Sequence, residues 1–258
     1  MAKIIAVAIQ KGGQGKTTTA AALGAGLTLR GHKVLFVDLD AQGNLSYALG
    51  ADATGLTGRS ALEALQGAIS AADAIQHTPQ GDIIASSPAL AGADTTITAT
   101  GKEYRLAEAL EPIAGSYDYI ILDTPPSLGI LTINALTAAA EAVIPAQADM
   151  FSLQGIGQLW QTIQAIRKYC NPGLKIAGIL LTRYNGRAVI SREVKEMLSQ
   201  TAAQMKTKVY GSRIRECTAL KEAVADKKDI YSYAPRSNAA ADYSAFIAEF
   251  LEGEDIRQ

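Results

Sequence analysis

The decapeptide Ile9-Gln10-Lys11-Gly12-Gly13-Gln14-Gly15-Lys16-Thr17-Thr18 gathers glycines, two lysines and two hydroxyls between an apolar run and a helix-like one. Such a loop can turn successive backbone N–H groups inward around an oxyanion, and the helix that follows adds a partial positive charge. Gly12, Gly13, Gln14, Gly15 and Thr18 would form the cradle. Lys16 would neutralise the outer oxygens of a polyphosphate, and the Thr17 hydroxyl would hold Mg²⁺. The usual GxxxxGK[ST] spacing requires glycine at position 10, where Gln10 stands. The pattern present is instead KGGxGKT, with a second lysine at Lys11. Two further stretches end in acids. VLFVDLD delivers Asp38 and Asp40, and YIILD delivers Asp123 ahead of Thr124-Pro125-Pro126-Ser127. An acid at a strand end is ordinarily a solvated cap. Beside a phosphate loop it is what metal-assisted phosphoryl chemistry needs.

Positioning these groups calls for strands that end on one side of a sheet. The runs KIIAVAI, KVLFVDLD, DIIAS, YDYIILD, EAVIPA and LKIAGILLT are short and rich in Ile, Val and Leu, as suits strands covered on both faces. Helix-like segments lie between them, at 16–30, 103–113 and 153–169. In the last, Ile156, Leu159, Trp160, Ile163 and Ile166 recur at helical spacing. This alternation predicts right-handed βαβ crossovers, hence an α/β fold with a mostly parallel central sheet and helices on both faces, and the glycine-rich loop between the first strand and helix makes the P-loop NTPase type the expected one. Residues 50–100 give weaker signals, with helix-like pieces at 61–66 and 71–75. Residues 239–251 place Tyr243, Phe246, Ile247, Phe250 and Leu251 on one face, as in a helix docked on the core.

The 258 residues are 48% hydrophobic and 19% charged, the balance of a folded globule, and one domain spanning 1–258 is expected. Cys170 and Cys217 are too few and too far apart for a disulfide framework, a zinc site or an iron–sulfur cluster. The N-terminus reads as a first strand and not as a signal peptide, and no apolar stretch reaches the roughly 20 residues needed to span a bilayer. Net charge is −1 but unevenly spread. Residues 1–166 carry 8 Lys+Arg against 14 Asp+Glu, residues 167–236 carry 15 against 6, and residues 237–258 carry 1 against 5. The middle of these segments is a candidate polyanion-binding region.

KGGxGKT with Lys11 resembles the deviant Walker A motif of the ParA/MinD ATPases. VDLDAQGN resembles that family's VDxDPQGN switch, with Ala41 in place of proline, and YIILD resembles its Walker B segment. The likeness extends from Ile4 to Leu251. With the phosphate loop so near the start, it is closest to the short ParA/Soj type, which has no N-terminal DNA-binding module. The resemblance implies ATP and Mg²⁺ as cofactors and catalytic roles for Lys11, Lys16 and Asp40. Lys11 would reach across a homodimer to the partner's phosphates, and Asp40 would position the attacking water. Asp38 and Asp123 would approach the metal through water. Thr182 and Arg183, or Ile214, would lie near adenine.

Tyr184-Asn185-Gly186-Arg187 is similar to the family's DGR loop, which makes Arg187 a DNA contact by analogy. SRIRECTALKEA resembles its second DNA-contacting stretch, through Arg213, Arg215 and Lys221. Ala219 stands where several relatives carry arginine. The function implied is a dimerising switch ATPase for DNA partition, cytoplasmic and nucleoid-associated. It would bind nonspecific DNA with ATP and let go after hydrolysis stimulated by a ParB-like centromere-binding protein. Two alternatives share the phosphate loop: a MinD-like membrane-cycling ATPase, which the acidic Glu252–Asp255 tail disfavours and so leaves no membrane partner expected, and an ATP-dependent synthetase.

Overall fold

A computed structural model describes residues 1–185 and 190–255. Eight strands form one sheet: β1 (Lys3–Val7), β2 (Val34–Asp38), β3 (Ile75–Thr78), β4 (Gly81–Ile84), β5 (Tyr119–Asp123), β6 (Glu141–Ala146), β7 (Lys175–Tyr184) and β8 (Val209–Arg215). Their order is β3-β4-β2-β5-β1-β6-β7-β8, and every pairing is parallel except β3 with β4. Among the described residues, twelve α-helices accompany them: α1 (Lys16–Thr28), α2 (Asn44–Leu49), α3 (Ala61–Gln66), α4 (Ala71–Ala74), α5 (Ala93–Thr96), α6 (Arg105–Leu110), α7 (Ile130–Ala138), α8 (Met150–Tyr169), α9 (Ile190–Gln204), α10 (Ala219–Ala225), α11 (Ile230–Tyr233) and α12 (Asn238–Asp255).

The apolar runs become central strands because both of their faces are covered. In β1, Ala6 faces one core with Leu35, Val37, Ile120 and Leu122, while Ile5 and Val7 face the other with Phe36, Ile121 and Val143. The first core lies under α3, α6, α7 and α8, and the second under α1, α10 and α12. Helix α1 can approach β2 closely because Gly24 lies over the Phe36 ring.

Several boundaries differ from the sequence reading. The segment expected to be one helix at 103–113 is broken. A 3₁₀ turn (Lys102–Tyr104) leads into α6, and a second (Glu111–Ser116) begins as Pro112 removes a helical donor. Ile75, read as the end of a helix, instead opens β3, which hairpins back on β4. Helix α3 starts where expected, on a capping box in which Ser60 and Glu63 satisfy each other's backbone ends. Strand β8 was not anticipated. It forms the sheet edge, and α12 lies against it. Glu249 of α12 accepts the N–H groups of Gly211 and Ser212 at 3.0 Å each, and Asp242 accepts that of Arg215 at 2.9 Å. No helix among the described residues is long and apolar enough to cross a membrane.

Candidate nucleotide site

The loop between β1 and α1 owes its curl to two glycines in the left-handed region, Gly13 at φ 76° and Gly15 at φ 83°. It is fastened from outside. The Thr182 hydroxyl, at the end of β7, donates to the Gln14 carbonyl at 2.8 Å. The Gln147 amide donates to the Gly13 carbonyl at 2.8 Å. The Gln14 side chain is 1% exposed and faces the protein interior. Its oxygen accepts the Gln147 N–H and the Ser152 hydroxyl, each at 2.8 Å. An amide at this position thus ties the loop to the start of α8 and leaves the backbone cradle to the phosphates.

The two lysines face different ways. Lys16 is 7% exposed, lines the cavity described below, and donates to the Lys11 carbonyl at 3.1 Å. Burial lowers its pKa, and the Coulombic pull of Asp123 and Asp40 opposes that. Lys11 does not line the cavity. Its ammonium lies 3.2 and 3.3 Å from the two Asp149 oxygens and 5.1 Å from the centre of the Phe151 ring. Asp149 caps α8 by accepting the Ser152 N–H at 2.7 Å, and the neighbouring Met150 and Phe151 are 58% and 71% exposed.

The register of β2 against β5 sets Asp38 beside Asp123, both fully buried. Asp38 accepts three bonds: the Asp40 N–H at 3.1 Å, the Ser46 N–H at 2.8 Å and the Ser46 hydroxyl at 2.7 Å. Burial still pushes its carboxyl up to about 6. Neither oxygen of Asp123 has a regular hydrogen bond among the described residues. Burial and the Asp38 charge push its pKa well up, and the nearby Thr17 hydroxyl and Lys16 ammonium only partly offset them. A buried carboxylate beside a hydroxyl and a lysine suits a hydrated divalent cation. The described residues hold no cluster of three or more acids, histidines or cysteines, so such an ion would draw most of its ligands from water and phosphate, as Mg²⁺ does. Asp40 is half-buried and accepts the Gln42 N–H at 3.0 Å.

A cavity of about 590 Å³ opens over this loop. Thr17, Thr18 and Asp40 are among its lining residues, as are Thr182, Arg183 and Ile214, so the three residues expected near adenine share the cavity of the phosphate loop. Arg183 is a non-glycine residue at φ 48°, with its guanidinium 2.9 Å from Glu216. The residues expected to touch DNA separate. Arg215 and Lys221 line this same cavity, and Arg215 is bonded to Asp242 at 2.6 Å. Arg213 lies elsewhere, stacked 4.8 Å from the Tyr184 ring centre and bonded to the Tyr184 hydroxyl at 2.9 Å. Arg187 falls outside the described residues. Sequence reasoning missed Gln147, Asp149, Ser152, Ser46 and Ser86, none of which belongs to a spaced motif.

A glycine-curled loop between a strand and a helix, with acids at the ends of adjacent parallel strands, defines the P-loop nucleoside triphosphatases. Residues 2–176 match a family model described as an AAA domain. The chain is 41% identical to the sporulation initiation inhibitor protein Soj of Bacillus subtilis, over 94% of this chain and 96% of that one. It is 37% identical to the chromosome partitioning protein ParA of Caulobacter vibrioides, over 99% and 96%. Among solved structures, cobyrinic acid a,c-diamide synthase from Mycobacterium smegmatis, with bound ADP and magnesium, superposes with a TM-score of 0.85 at 35% identity, over 100% of this chain and 97% of that one. The chain therefore belongs to the ParA/Soj family of P-loop ATPases.

Proposed function

We propose that this chain, acting as one domain over residues 1–258, is an ATP-driven dimerising switch that partitions DNA. In the ATP-bound state two copies sandwich two nucleotides and hold nonspecific DNA, and hydrolysis releases it. The observation that carries this reading is the direction of Lys11. It is a cation of the phosphate loop that turns away from its own cavity toward the surface, beside exposed Met150 and Phe151, where it can serve a second protomer's phosphates.

Within each site, the loop N–H groups and Lys16 would hold the β- and γ-phosphates, and Thr17 and Asp123 would hold hydrated Mg²⁺, which would supply neutralising positive charge to the polyphosphate. Asp40 orients water toward the γ-phosphorus; as the water oxygen bonds to phosphorus the P–O bond to ADP breaks, the water's protons pass to phosphate and solvent, and inorganic phosphate leaves. Lys11 from across the dimer stabilises the charge that builds up in that step. Thr182, Arg183 and Ile214 hold the adenine end. Asp38, whose oxygens also accept the Asp40 and Ser46 N–H groups, would approach the ion through water.

The excess of basic residues over 167–236 supports a polyanion partner, and pairing two copies doubles that surface. Arg213 and Arg187 are the preferred contacts, because Arg215 and Lys221 line the nucleotide cavity. The family resemblance supports a ParB-like stimulating partner and a cytoplasmic, nucleoid-associated location. The deciding experiment is sedimentation with a nonhydrolysable ATP analogue and Mg²⁺. Dimerisation of the wild type and its loss in Lys11→Ala are expected, and a monomer at saturation refutes the proposal. The synthase name of one solved relative supports a second reading, an ATP-dependent amide-forming enzyme. ATP turnover stimulated by DNA with no carboxylate acceptor present separates the two.

A further inference from the structure

The main chain of Asp40 is held from both sides by one closed ring of hydrogen bonds. Its N–H donates to Asp38, and its carbonyl accepts the Ser86 hydroxyl. Asp38 accepts both the N–H and the hydroxyl of Ser46, and the Ser46 oxygen in turn accepts the Ser86 N–H at 2.9 Å. Ser46 lies in the first turn of α2, and Ser86 just beyond β4. Both are fully buried, and neither lines the nucleotide cavity. The Asp40 carboxylate, by contrast, lines that cavity, and its one hydrogen bond among the described residues is to the N–H of Gln42 in its own turn.

A loop carboxylate that must aim a water molecule needs its backbone fixed to within about 0.5 Å, because its own rotamer is not locked by packing. Here the Gly43 N–H of the same turn bonds the Asp40 carbonyl at 2.8 Å, and the rest of the fixing is done by hydroxyls of α2 and of the segment after β4. We propose that Ser46 and Ser86 are positioning residues for hydrolysis: they set the Asp40 backbone, and through it the direction of the Asp40 carboxylate, without touching nucleotide. Each serine uses its hydroxyl and its N–H together, so alanine opens the ring while threonine keeps it closed. The inference rests on the reading of Asp40 as the residue that orients water.

The test is ATP turnover at saturating Mg²⁺ for Ser86→Ala, Ser86→Thr, Ser46→Ala, Asp40→Ala and the Asp40→Ala/Ser86→Ala double variant. Ser86→Ala is expected to lower kcat by roughly ten- to a hundred-fold, the range of about 1 Å of misplacement, with KM within about two-fold of wild type. Ser86→Thr should restore most of the rate, and the double variant should be no slower than Asp40→Ala alone. Ser46→Ala opens the same ring at another point and stands in if Ser86→Ala folds poorly. Unchanged kcat in both alanine variants overturns the proposal, as does a Ser86→Ala loss of the same size in the Asp40→Ala background. Wild-type turnover in Asp40→Ala would instead overturn the reading of Asp40, and the role of the serines with it.

Discussion

Glycine-to-alanine changes at two helical positions should move stability in opposite directions. Alanine replacing glycine inside a helix gains about 1 kcal/mol from backbone propensity alone. At Gly24 in α1, the added Cβ would lie 2.1 Å from Cε1 and 2.3 Å from Cζ of Phe36. Carbon contacts sit at about 3.5–4.0 Å, so helix and ring would have to part by more than about 1 Å. Phe36 is 1% exposed and central to its core, so there is little room to yield. Overpacking of this kind costs about 1–3 kcal/mol, and the severity of the clash places Gly24 at the upper end. The net is a loss of about 1–2 kcal/mol, or a fall in Tm of roughly 2–8 °C. At Gly157 in α8, a Cβ meets nothing within 4 Å, and the same change should raise Tm by roughly 2–4 °C. Calorimetric melts of the two variants decide the matter. Gly24→Ala melting at or above wild type, or both variants shifting the same way, would refute the packing account. Because α1 carries Lys16 and Thr17 while β2 carries Asp38, Gly24→Ala should also weaken nucleotide binding, readable by titration calorimetry.

Two further outcomes follow from the hydrogen bonding. Burial pushes Glu249 up, but the N–H groups of Ser212 and Gly211, the Ser212 hydroxyl and Lys208 outweigh it, and the folded-state pKa lies below the ordinary 4.5. Its contribution is therefore present above about pH 4.5 and lost as pH falls through the folded value. The Tm gap between wild type and Glu249→Gln should narrow on acidification from pH 7, and a constant gap counts against the capping role. Gln14→Val strands the part-buried Gln147 N–H, leaves the Ser152 hydroxyl with Asp149 as acceptor, and removes the amide nitrogen of Gln14, a buried donor without a partner among the described residues. Each such donor costs about 1–3 kcal/mol, so stability should change by less than about 2 kcal/mol, whereas nucleotide affinity should fall as the loop loses its tie to α8. A melt shifted by more than roughly 8 °C would refute that cancellation.

The parts of the molecule that sequence conveys well are those written in contiguous residues. Strands β1, β2, β5, β6 and β7 are near-unbroken apolar runs because both of their faces are covered, and the phosphate loop and its acids stand at their ends. Strand β8 escaped because an edge strand needs few apolar residues. Only Tyr210 and Ile214 of its seven are fully buried, and Gly211, Ser212 and Arg213 hide any run. Strand β3 escaped because the alanines before it suggest a helix that in fact ends at Ala74. The site's supporting residues were invisible for another reason. Asp149 meets Lys11 across 138 positions and Ser86 meets Asp40 across 46, and no local pattern encodes such pairs. Lys221 and Arg215 are expected as DNA contacts from the resemblance carried by SRIRECTALKEA, and only the path of the chain after β8 brings them to the nucleotide cavity.

The sealing of β8 by α12 limits how copies of this chain can associate. With Glu249 and Asp242 occupying three amides of the terminal strand, that margin offers little for another chain to zip onto. Copies of the chain are thereby steered away from runaway stacking sheet to sheet along this margin.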